Sequence, residues 1–433
     1  MTRISYSGLP VQRVDITLPS SKSIAARALI LAECFDGIEI CRLPECDDTR
    51  ELARALDSLH HYMEGRDQPM VLSDTPDADL PRFDLGSGGT SFRFFLALVA
   101  SLPGFQGIVD CSAALRRRPV APLLDPLRKA GADISSLSGD DHPPFRVCGK
   151  LLNATSLRVD KGISSQFISA LMMASLKWQN PFTPLRDNDE VSSPYIDMTA
   201  QMISRFEEMS HSERLNLMPA RFCIEPDWSA ASYFYQFAML HPDVDISLGP
   251  LPPWGESLQG DAACSEIFGR CGVMSRYNDD GELIIRGDGM KIKELHQLSR
   301  SMQFDMSATP DLVPALVMAL AYARIPFDII GVGHLKYKEC DRLNALHEIL
   351  SRSHFNVSVT SDRISISEYA EDSDTIPPVL SVDSYGDHRM VMCASITALC
   401  HDHVEISDAV VVGKSFPGFF DQLSRLGFDV SEV

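Results

Sequence analysis

The chain has 433 residues, of which 45% are hydrophobic and 23% are charged, a balance typical of a globular protein. A chain of this length has more residues than typically fold around a single hydrophobic core, so at least two domains are expected. The formal net charge of −20 argues against nucleic acid or an anionic membrane as the main partner, because both require a broad basic surface. A small anionic substrate needs only a local group of cations and stays possible.

The cysteine pattern bears on the cellular compartment. None of the 11 cysteines forms a C-x-x-C pair, and several, such as Cys34, Cys393 and Cys400, lie in apolar runs. This pattern predicts reduced, buried thiols in a cytoplasmic protein rather than a disulfide framework or a zinc site. The first residues contain no apolar signal core, and no apolar run reaches the ~18–20 residues that span a bilayer.

The first predicted elements are a strand and a buried helix. Residues 11–18 alternate between apolar and polar side chains, which predicts a strand. They lead into residues 18–33, a helix that is apolar on nearly every side and is therefore expected to be buried. Three serines surround Lys22 at its start, and Arg27 follows one turn later. Unpaired N–H groups, the helix dipole and two cations predict an anion site here; the alternative is a capped core helix with a surface-reaching lysine.

This design returns along the chain in copies of low identity. Five more apolar helices preceded by Gly, Ser, Thr or Asp are predicted at residues 85–102, 162–176, 226–240, 306–323 and 384–399. Amphipathic patterns predict further helices at residues 47–59, within 122–134 with an end at Gly131, and at 195–209, 338–352 and 416–430. Short strands are predicted at residues 156–160, 282–287 and 363–369. The pattern indicates six strand-and-helix units in two domains of three, with a crossover near residues 223–227.

The polar N-termini of six buried helices cannot all point into an apolar core. They are expected to open onto a shared space that suits a multiply anionic ligand. Cations lie at or near these helix starts: Lys22, Arg27, Arg93, Arg118, Arg342, Arg389 and Lys414. Each one alone is more often a solvated surface residue, and it is their shared position that points to ligand binding.

Nine segments then carry a resemblance over essentially the whole chain. In order they read SKSIAARAL, GSGGTSFR, RRRPV, SSQFISALMMA, EPDWSAASYF, ATPDLVPAL, KYKECDRLNAL, YGDHRMVM and GKSFPGFF. Together they resemble, in sequence and in order, the motifs of the 5-enolpyruvylshikimate-3-phosphate (EPSP) synthase family of enolpyruvyl transferases. One such segment would be a weak signal, whereas nine in the family's order are specific.

The resemblance implies an α/β fold with two domains, each built from three β-α-β-α-β-β units. Domain I would comprise residues 1–19 and 225–433, domain II residues 20–224, and the active site would lie in the cleft between them. The implied reaction moves the enolpyruvyl (1-carboxyvinyl) group of phosphoenolpyruvate, the donor, to the 5-hydroxyl of shikimate 3-phosphate, the acceptor. Phosphate is released, in a step of aromatic amino acid (chorismate) biosynthesis. The family needs no cofactor or metal, and a cytoplasmic monomer is expected.

The resemblance also assigns roles to residues. Asp311 would take the proton of the acceptor hydroxyl and Glu339 would protonate the donor's methylene carbon, for which it needs a raised pKa or a proton relay. Lys22 would contact both substrates and completes the catalytic set. Donor binding is implied for Lys22, Gly89, Arg118, Gln166, Arg342, Arg389 and Lys414. Acceptor binding is implied for Lys22, Ser23, Arg27, Ser164, Ser165, Gln166, Ser192, Asp311 and Lys338.

Departures from the family pattern concern the surroundings of these groups. Ser87 stands where the glycine-rich loop has asparagine, Phe94 where it usually has proline, and His334 where many members have asparagine. Arg93 is expected to support the loop around Gly89, and Tyr195 to lie beside the acceptor ring. No departure removes a charged catalytic group.

Two other interpretations remain open at this point. One is a catalytically degraded relative that only binds anionic metabolites, although the charged set is intact. The other is the sister transferase that acts on a UDP-amino sugar. That enzyme would need a loop cysteine near Arg118 as its acid; Cys111 is nearby, but RRRPV contains no cysteine.

Overall fold

The computed structural model of the chain describes residues 1–9, 11–64, 77–153, 165–182, 194–216, 220–297, 300–369 and 376–433. These residues form two compact units. Unit 1 consists of Met1–Ser21 and Glu225–Val433, and unit 2 consists of Lys22–Ile224.

The secondary structure mixes short strands with helices of varied length. The strands are β1 (Thr2–Tyr6), β2 (Arg13–Asp15), β3 (Ile38–Cys41), β4 (Arg82–Asp84), β5 (Gln106–Asp110), β6 (Asp133–Ser136), β7 (Phe145–Cys148), β8 (Ala220–Cys223), β9 (Asp245–Ser247), β10 (Val273–Tyr277), β11 (Leu283–Gly287), β12 (Met302–Asp305), β13 (Phe327–Ile330), β14 (Ser358–Val359), β15 (Arg363–Ile366), β16 (Val379–Val382), β17 (His403–Ile406) and β18 (Phe428–Glu432). The helices are α1 (Lys22–Ala32), α2 (Asp47–Glu64), α3 (Gly89–Ala100), α4 (Ala113–Arg116), α5 (Ala121–Lys129), α6 (Ser165–Ala174), α7 (Pro194–Asn216), α8 (Trp228–Leu240), α9 (Cys264–Arg270), α10 (Gly289–His296), α11 (Val313–Tyr322), α12 (Arg342–Arg352), α13 (His388–Ile396) and α14 (Phe419–Arg425).

Three four-stranded sheets of one design build the described part of unit 1. Their strand orders are β2–β9–β11–β10, β12–β13–β15–β14 and β16–β17–β1–β18. In each sheet the first pair is parallel and the other two pairs are antiparallel. A parallel pair needs a long crossover, usually a helix, whereas antiparallel neighbours can be joined by a turn. The predicted α/β fold with β-α-β-α-β-β units is thereby confirmed for unit 1.

Unit 2 contains one complete copy of the same design in its described part. Its four-stranded sheet has the order β4–β5–β7–β6, again with one parallel and two antiparallel pairs. Strands β3 and β8 form a separate parallel pair. The strand predicted at residues 156–160 lies outside the described residues.

The apolar helices predicted from the sequence are the buried ones. They are α1, α3, α6, α8, α11 and α13. In α11 every residue from Val313 to Tyr322 is buried, as its lack of a polar face requires. The three of unit 1, α8, α11 and α13, contact one another and form the centre of its core.

The last predicted helix is shorter in the structure. Residues 416–430 were expected to be one helix, but α14 ends at Arg425 and residues from Phe428 onward form β18. Gly427 separates the two with a φ of +85°. A Cβ at Gly427 would lie 2.3 Å from the carbonyl oxygen of Gly8, so only glycine fits this break. Helices α9 and α10 were not predicted.

The prediction that all cysteines are reduced thiols is wrong for one pair. Cys41 and Cys223 form a disulfide. Parallel pairing of β3 with β8 places them directly opposite each other, although 182 residues separate them in the chain. Spacing arguments detect only cysteines that are near in sequence, so this pair left no signal. The other nine cysteines are free and buried or half-buried.

The chain leaves unit 1 and returns to it at neighbouring points. The Ser21 amide donates to the Glu225 carbonyl over 2.8 Å, and the Asp227 amide donates to the Pro19 carbonyl over 2.8 Å. Ser20 and Pro226 form an antiparallel bridge between these bonds. Among the described helices, none is both long and apolar enough to cross a membrane.

Candidate active site

The starts of three helices bring charged side chains together in unit 1. Asp311 lies in the short 3-10 turn Pro310–Leu312 that leads into α11, Arg342 is the first residue of α12, and Arg389 is the second residue of α13. Asp387 caps α13 by accepting the Arg389 amide over 2.9 Å. Helix starts carry unpaired N–H groups and a positive dipole end, which favours anionic groups and ligands here.

Arg342 is the hub of this cluster. Its side chain is 1% exposed and contacts three carboxylates. Nη1 donates to Oδ1 of Asp311 at 3.0 Å, Nη2 to Oε2 of Glu339 at 2.8 Å, and Nε to Oδ2 of Asp387 at 2.7 Å. Burial alone would lower the pKa of Arg342, but the three carboxylates raise it above its ordinary value. One guanidinium group thus orients both carboxylates for which the family resemblance implies proton-transfer roles.

Three further cations surround the same carboxylates. Nη2 of Arg389 lies 2.9 Å from Oδ2 of Asp311, and Nζ of Lys338 lies 3.4 Å from Oδ1 of Asp311. Nζ of Lys414 lies 3.6 Å from Oε1 of Glu339. Planar arginine forks and a lysine ammonium are suited to bind phosphate and carboxylate groups.

The environment of Asp311 sets its charge. Burial would raise its pKa, but Arg389, Lys338 and Arg342 hold the pKa well below the ordinary value. The carboxylate is therefore ionised and able to accept a proton. An incoming anionic ligand that drew these cations away would make it a stronger base.

His334 lies at the edge of this cluster as a neutral side chain. Burial, followed by the charge of Lys338, lowers its pKa to about 4. The imidazole therefore adds no charge beside Asp311 at neutral pH, as asparagine would add none.

Unit 2 holds a second group of predicted residues, beginning with Lys22. Lys22 is the first residue of α1, and its Nζ lies 2.9 Å from Oδ2 of Asp48 in the first turn of α2. Ser91 Oγ donates to the backbone oxygen of Asp48 over 3.0 Å. Asp48, which is 3% exposed, therefore joins the start of α1 to the start of α3.

Gly89, Arg93, Arg118 and Gln166 also lie together in unit 2. Nη1 of Arg93 donates to the carbonyl oxygen of Gly89 and to Oε1 of Gln166, both at 2.9 Å. A Cβ at Gly89 would lie 2.7 Å from Nη1 of Arg93 and 2.8 Å from Nη1 of Arg118. Any larger residue at position 89 would displace both guanidinium groups. The expected support of this loop by Arg93 is confirmed.

Arg27 takes a different place from the other predicted anion-binding residues. It is 2% exposed. Its Nε donates to Thr199 Oγ1 at 2.7 Å, its Nη1 to the Ser23 carbonyl at 2.8 Å, and its Nη2 to Ser169 Oγ at 3.2 Å and to the Tyr195 carbonyl at 3.3 Å. Burial lowers its pKa to about 10, partly offset by Tyr195. In this structure Arg27 ties α1 to α6 and α7.

The remaining predicted residues fall into two groups. Ser23 lies in the first turn of α1, and Ser165 begins α6. Ser164 and Ser192 lie outside the described residues, so their predicted contacts with the acceptor stay predictions.

Comparison with known proteins now decides the family. The family model described as EPSP synthase (3-phosphoshikimate 1-carboxyvinyltransferase) matches residues 10–423. The chain belongs to the EPSP synthase family.

Relatives and solved structures agree with this assignment. A 3-phosphoshikimate 1-carboxyvinyltransferase of Bacteroides fragilis is 31% identical over 427 residues, covering 96% of each chain. The protein of the same name from Photobacterium damsela subsp. piscicida is 30% identical, covering 95% of this chain and 96% of its own. A solved EPSP synthase from Acinetobacter baumannii shares the fold, with a TM-score of 0.66 and 20% identity over 100% of both chains.

Two residues of this EPSP synthase family chain take part in the clusters without having been assigned a role from the sequence. Asp387 anchors Arg342, and Asp48 pairs with Lys22. Each was visible, Asp387 within YGDHRMVM and Asp48 in the acidic pair that begins α2. An acidic residue at a helix start is usually a cap, and only the fold shows which arginine or lysine it reaches.

Proposed function

We propose that the chain catalyses the reaction of its family with the residues named above. The enolpyruvyl group of phosphoenolpyruvate moves to the 5-hydroxyl of shikimate 3-phosphate, and phosphate leaves. The observation that carries the assignment of roles is the hub at Arg342. It contacts Asp311 at 3.0 Å and Glu339 at 2.8 Å, within a group of cations suited to anionic substrates.

The reaction needs an acid and a base at two different atoms. Glu339 donates a proton to the methylene carbon of the donor, which leaves a cationic centre at the neighbouring carbon. The 5-hydroxyl oxygen attacks that centre as Asp311 takes its proton, which gives a tetrahedral intermediate. The C–O bond to phosphate then breaks as the methyl carbon formed in the first step returns a proton to the Glu339 carboxylate. The double bond is restored and phosphate leaves.

Substrate binding to the cations would change the proton affinities of these two carboxyl groups. In the structure Arg342, Arg389, Lys338 and Lys414 are all paired with Asp311 or Glu339. A phosphate and a carboxylate from the donor compete for the same cations, since bidentate pairing with arginine is favourable for both. Losing cationic neighbours raises the affinity of a carboxylate for protons, which strengthens Asp311 as a base and lets Glu339 carry a proton.

The groups of unit 2 are proposed to hold the same two substrates. Lys22 supplies a positive charge to both, and Arg118 and Gln166, beside the loop at Gly89, contact the donor. Ser23 and Ser165 contact the acceptor, and so does Arg27 if its present partners are exchanged for the ligand; Lys338 of unit 1 is proposed to contact the acceptor as well. We also propose that units 1 and 2 are the two expected domains, and that the protein works as a monomer in the cytoplasm without metal or cofactor.

A phosphate-release assay with both substrates tests the proposed function. Release is expected only when donor and acceptor are both present, and mass spectrometry should find the acceptor heavier by one enolpyruvyl group. Replacing shikimate 3-phosphate by a UDP-amino sugar should give no release. Release with the UDP-amino sugar, or tight binding of both substrates without turnover, would overturn the proposal.

A further inference from the structure

Carboxylates of neighbouring residues hold the turn that leads into α3. The Gly86 amide donates to Oδ1 of Asp84 at 2.9 Å, and the Ser112 amide donates to the Gly86 carbonyl at 2.8 Å. Gly86 has a φ of +54°, a conformation that favours glycine. This turn, residues 86–89, ends at Gly89, beside Arg93 and Arg118.

Glu51 of α2 fills the space that a side chain at position 86 would need. A Cβ on Gly86 would lie 2.1 Å from Cδ and from both carboxylate oxygens of Glu51. The backbone amide of Ser87 donates a hydrogen bond to this carboxylate. Glu51 therefore lies flat against the turn and fixes its backbone from the side of α2.

Two buried carboxylate oxygens face this turn with unmet hydrogen-bonding capacity. Among the described residues, neither Oε2 of Glu51 nor Oδ1 of Asp48 has a hydrogen-bond partner. Oδ1 of Asp48 would lie 3.2 Å from a Cβ on Gly88, so both oxygens line the same turn. Two neighbouring ionised carboxylates, each with one buried oxygen that lacks a hydrogen-bond partner, are costly, and a proton on Glu51 removes much of that cost.

We propose that Glu51 is a positioning residue for the donor-binding turn at residues 86–89, and that it acts as a protonated carboxyl group. The protonated group accepts the Ser87 amide with one oxygen and can donate its own hydrogen toward the carboxylate of Asp48. Asp48 keeps its ion pair with Lys22. Ionisation of Glu51 would instead add a negative charge beside the turn, and this charge would repel an anionic donor. This inference rests on the proposed role of the Gly89 loop in donor binding.

The charges around Glu51 support this assignment. Burial, followed by Asp48 and Asp47 of its own helix and by Asp84 at the end of β4, raises the pKa of Glu51 to about 7, against a smaller opposing effect of the Ser87 amide. The cations on the neighbouring helices are already engaged. Lys22 of α1 pairs with Asp48, and Arg93 of α3 donates to the Gly89 carbonyl and Gln166. Arg116, beyond the turn, pairs with Asp110.

A direct titration tests the protonation without any use of activity. The protein is labelled with ¹³C at the glutamate carboxyl carbons, and the Glu51 signal is assigned by its loss in Glu51→Gln. The signal should titrate near pH 7 in the protein without substrates, rather than near the ordinary ~4.3. A midpoint below about pH 5 would overturn the proposal.

Steady-state kinetics tests the positioning role. The KM for phosphoenolpyruvate is measured from pH 6 to 8.5 for the unaltered chain and for Glu51→Gln, which cannot ionise. The ratio of the first KM to the second should rise about tenfold over this range, as expected for one added charge acting over several ångströms. The donor's own phosphate titrates equally in both proteins and cancels in the ratio. The ratio of the two kcat values should change much less.

A matched control uses the same helix. Asp57 is an exposed carboxylate of α2, six residues after Glu51, and Asp57→Asn should show the pH dependence of the unaltered chain. A flat KM ratio for Glu51→Gln, or an equal change in Asp57→Asn, would overturn the positioning role. If the unaltered chain gave no turnover at all, the proposed function would fail, and the carboxyl titration would still test the protonation of Glu51.

Discussion

Two arginines, one in each unit, have the same burial but opposite surroundings. Arg342 is 1% and Arg27 is 2% exposed. Arg342 contacts three carboxylates and has a raised pKa, whereas Arg27 donates to two hydroxyls and two carbonyls and has a pKa lowered to about 10. Both were predicted to hold anions because both lie at or near the start of a helix.

A buried cation is available to a ligand in different ways when its partners are charged and when they are neutral. Carboxylate partners around Arg342 can be exchanged for the carboxylate or phosphate of a ligand, because the charge complementarity is preserved. The neutral partners of Arg27 satisfy its geometry but not its charge, so an incoming phosphate would add an attraction that the structure lacks. The cluster around Arg342 is arranged for proton transfer. Arg27 can bind an anion only if it gives up the hydrogen bonds that join α1 to α6 and α7.

The sharpest test of the unit 1 cluster removes its proton-transfer groups. Glu339→Gln and Asp311→Asn should each lower kcat by ~10²–10⁴, because each keeps its shape and loses the ability to transfer a proton. Substrate affinities, measured by calorimetry, should change far less. Near-normal turnover of Glu339→Gln would show that another group is the acid.

Removing the hub should destabilise unit 1. Arg342→Met leaves Asp387, which is 0% exposed, without its ion-pair partner. Breaking a buried pair in this way costs about 3–5 kcal/mol in the free energy of unfolding. Guanidinium unfolding followed by circular dichroism measures the loss. If Arg342→Met matched the unaltered chain in stability, the hub would not be a structural necessity.

The corresponding change in unit 2 should cost less. Arg27→Met leaves hydroxyl and carbonyl acceptors unpaired but strands no charge, so a loss of about 1–3 kcal/mol is expected. The same unfolding experiment gives the comparison. A loss equal to or greater than that of Arg342→Met would contradict the distinction drawn between the two arginines.

The smallest expected effect concerns His334 and pH. Its pKa is about 4 in the folded chain and 6.5 as the ordinary value. Protonation therefore favours the unfolded chain, and stability is lost as the pH falls from 6.5 toward 4. Relative to His334→Asn, the unaltered chain should lose about 1–2 kcal/mol between pH 7.5 and pH 5, allowing for solvent screening of a side chain that is not fully buried. Parallel pH dependences of the two proteins would show that the histidine is already solvated.

The sequence predicted the features that follow from local pattern. An apolar helix such as α11 has no polar face, so its burial was predictable. The alternation of such helices with strands predicted six strand-and-helix units, and the family resemblance implied their β-α-β-α-β-β order. Pairings across long sequence separations were not predictable, among them the Cys41–Cys223 disulfide and the contact of Asp387 with Arg342. Glu51 gave no signal at all, because its meaning depends on a glycine 35 positions later whose missing side chain makes room for it.

The paired crossings between the units have a consequence for how the protein can be dissected. Ser21 and Glu225, where the chain leaves unit 1 and returns, are joined by a hydrogen bond of 2.8 Å. Residues 22–224 are therefore a continuous insertion whose removal leaves a gap that a linker of a few residues could close. Such a shortened chain would keep Asp311, Glu339, Arg342, Arg389 and Lys414 together. The shortened chain would separate the proton-transfer residues from unit 2, and its affinity for the donor could then be measured directly.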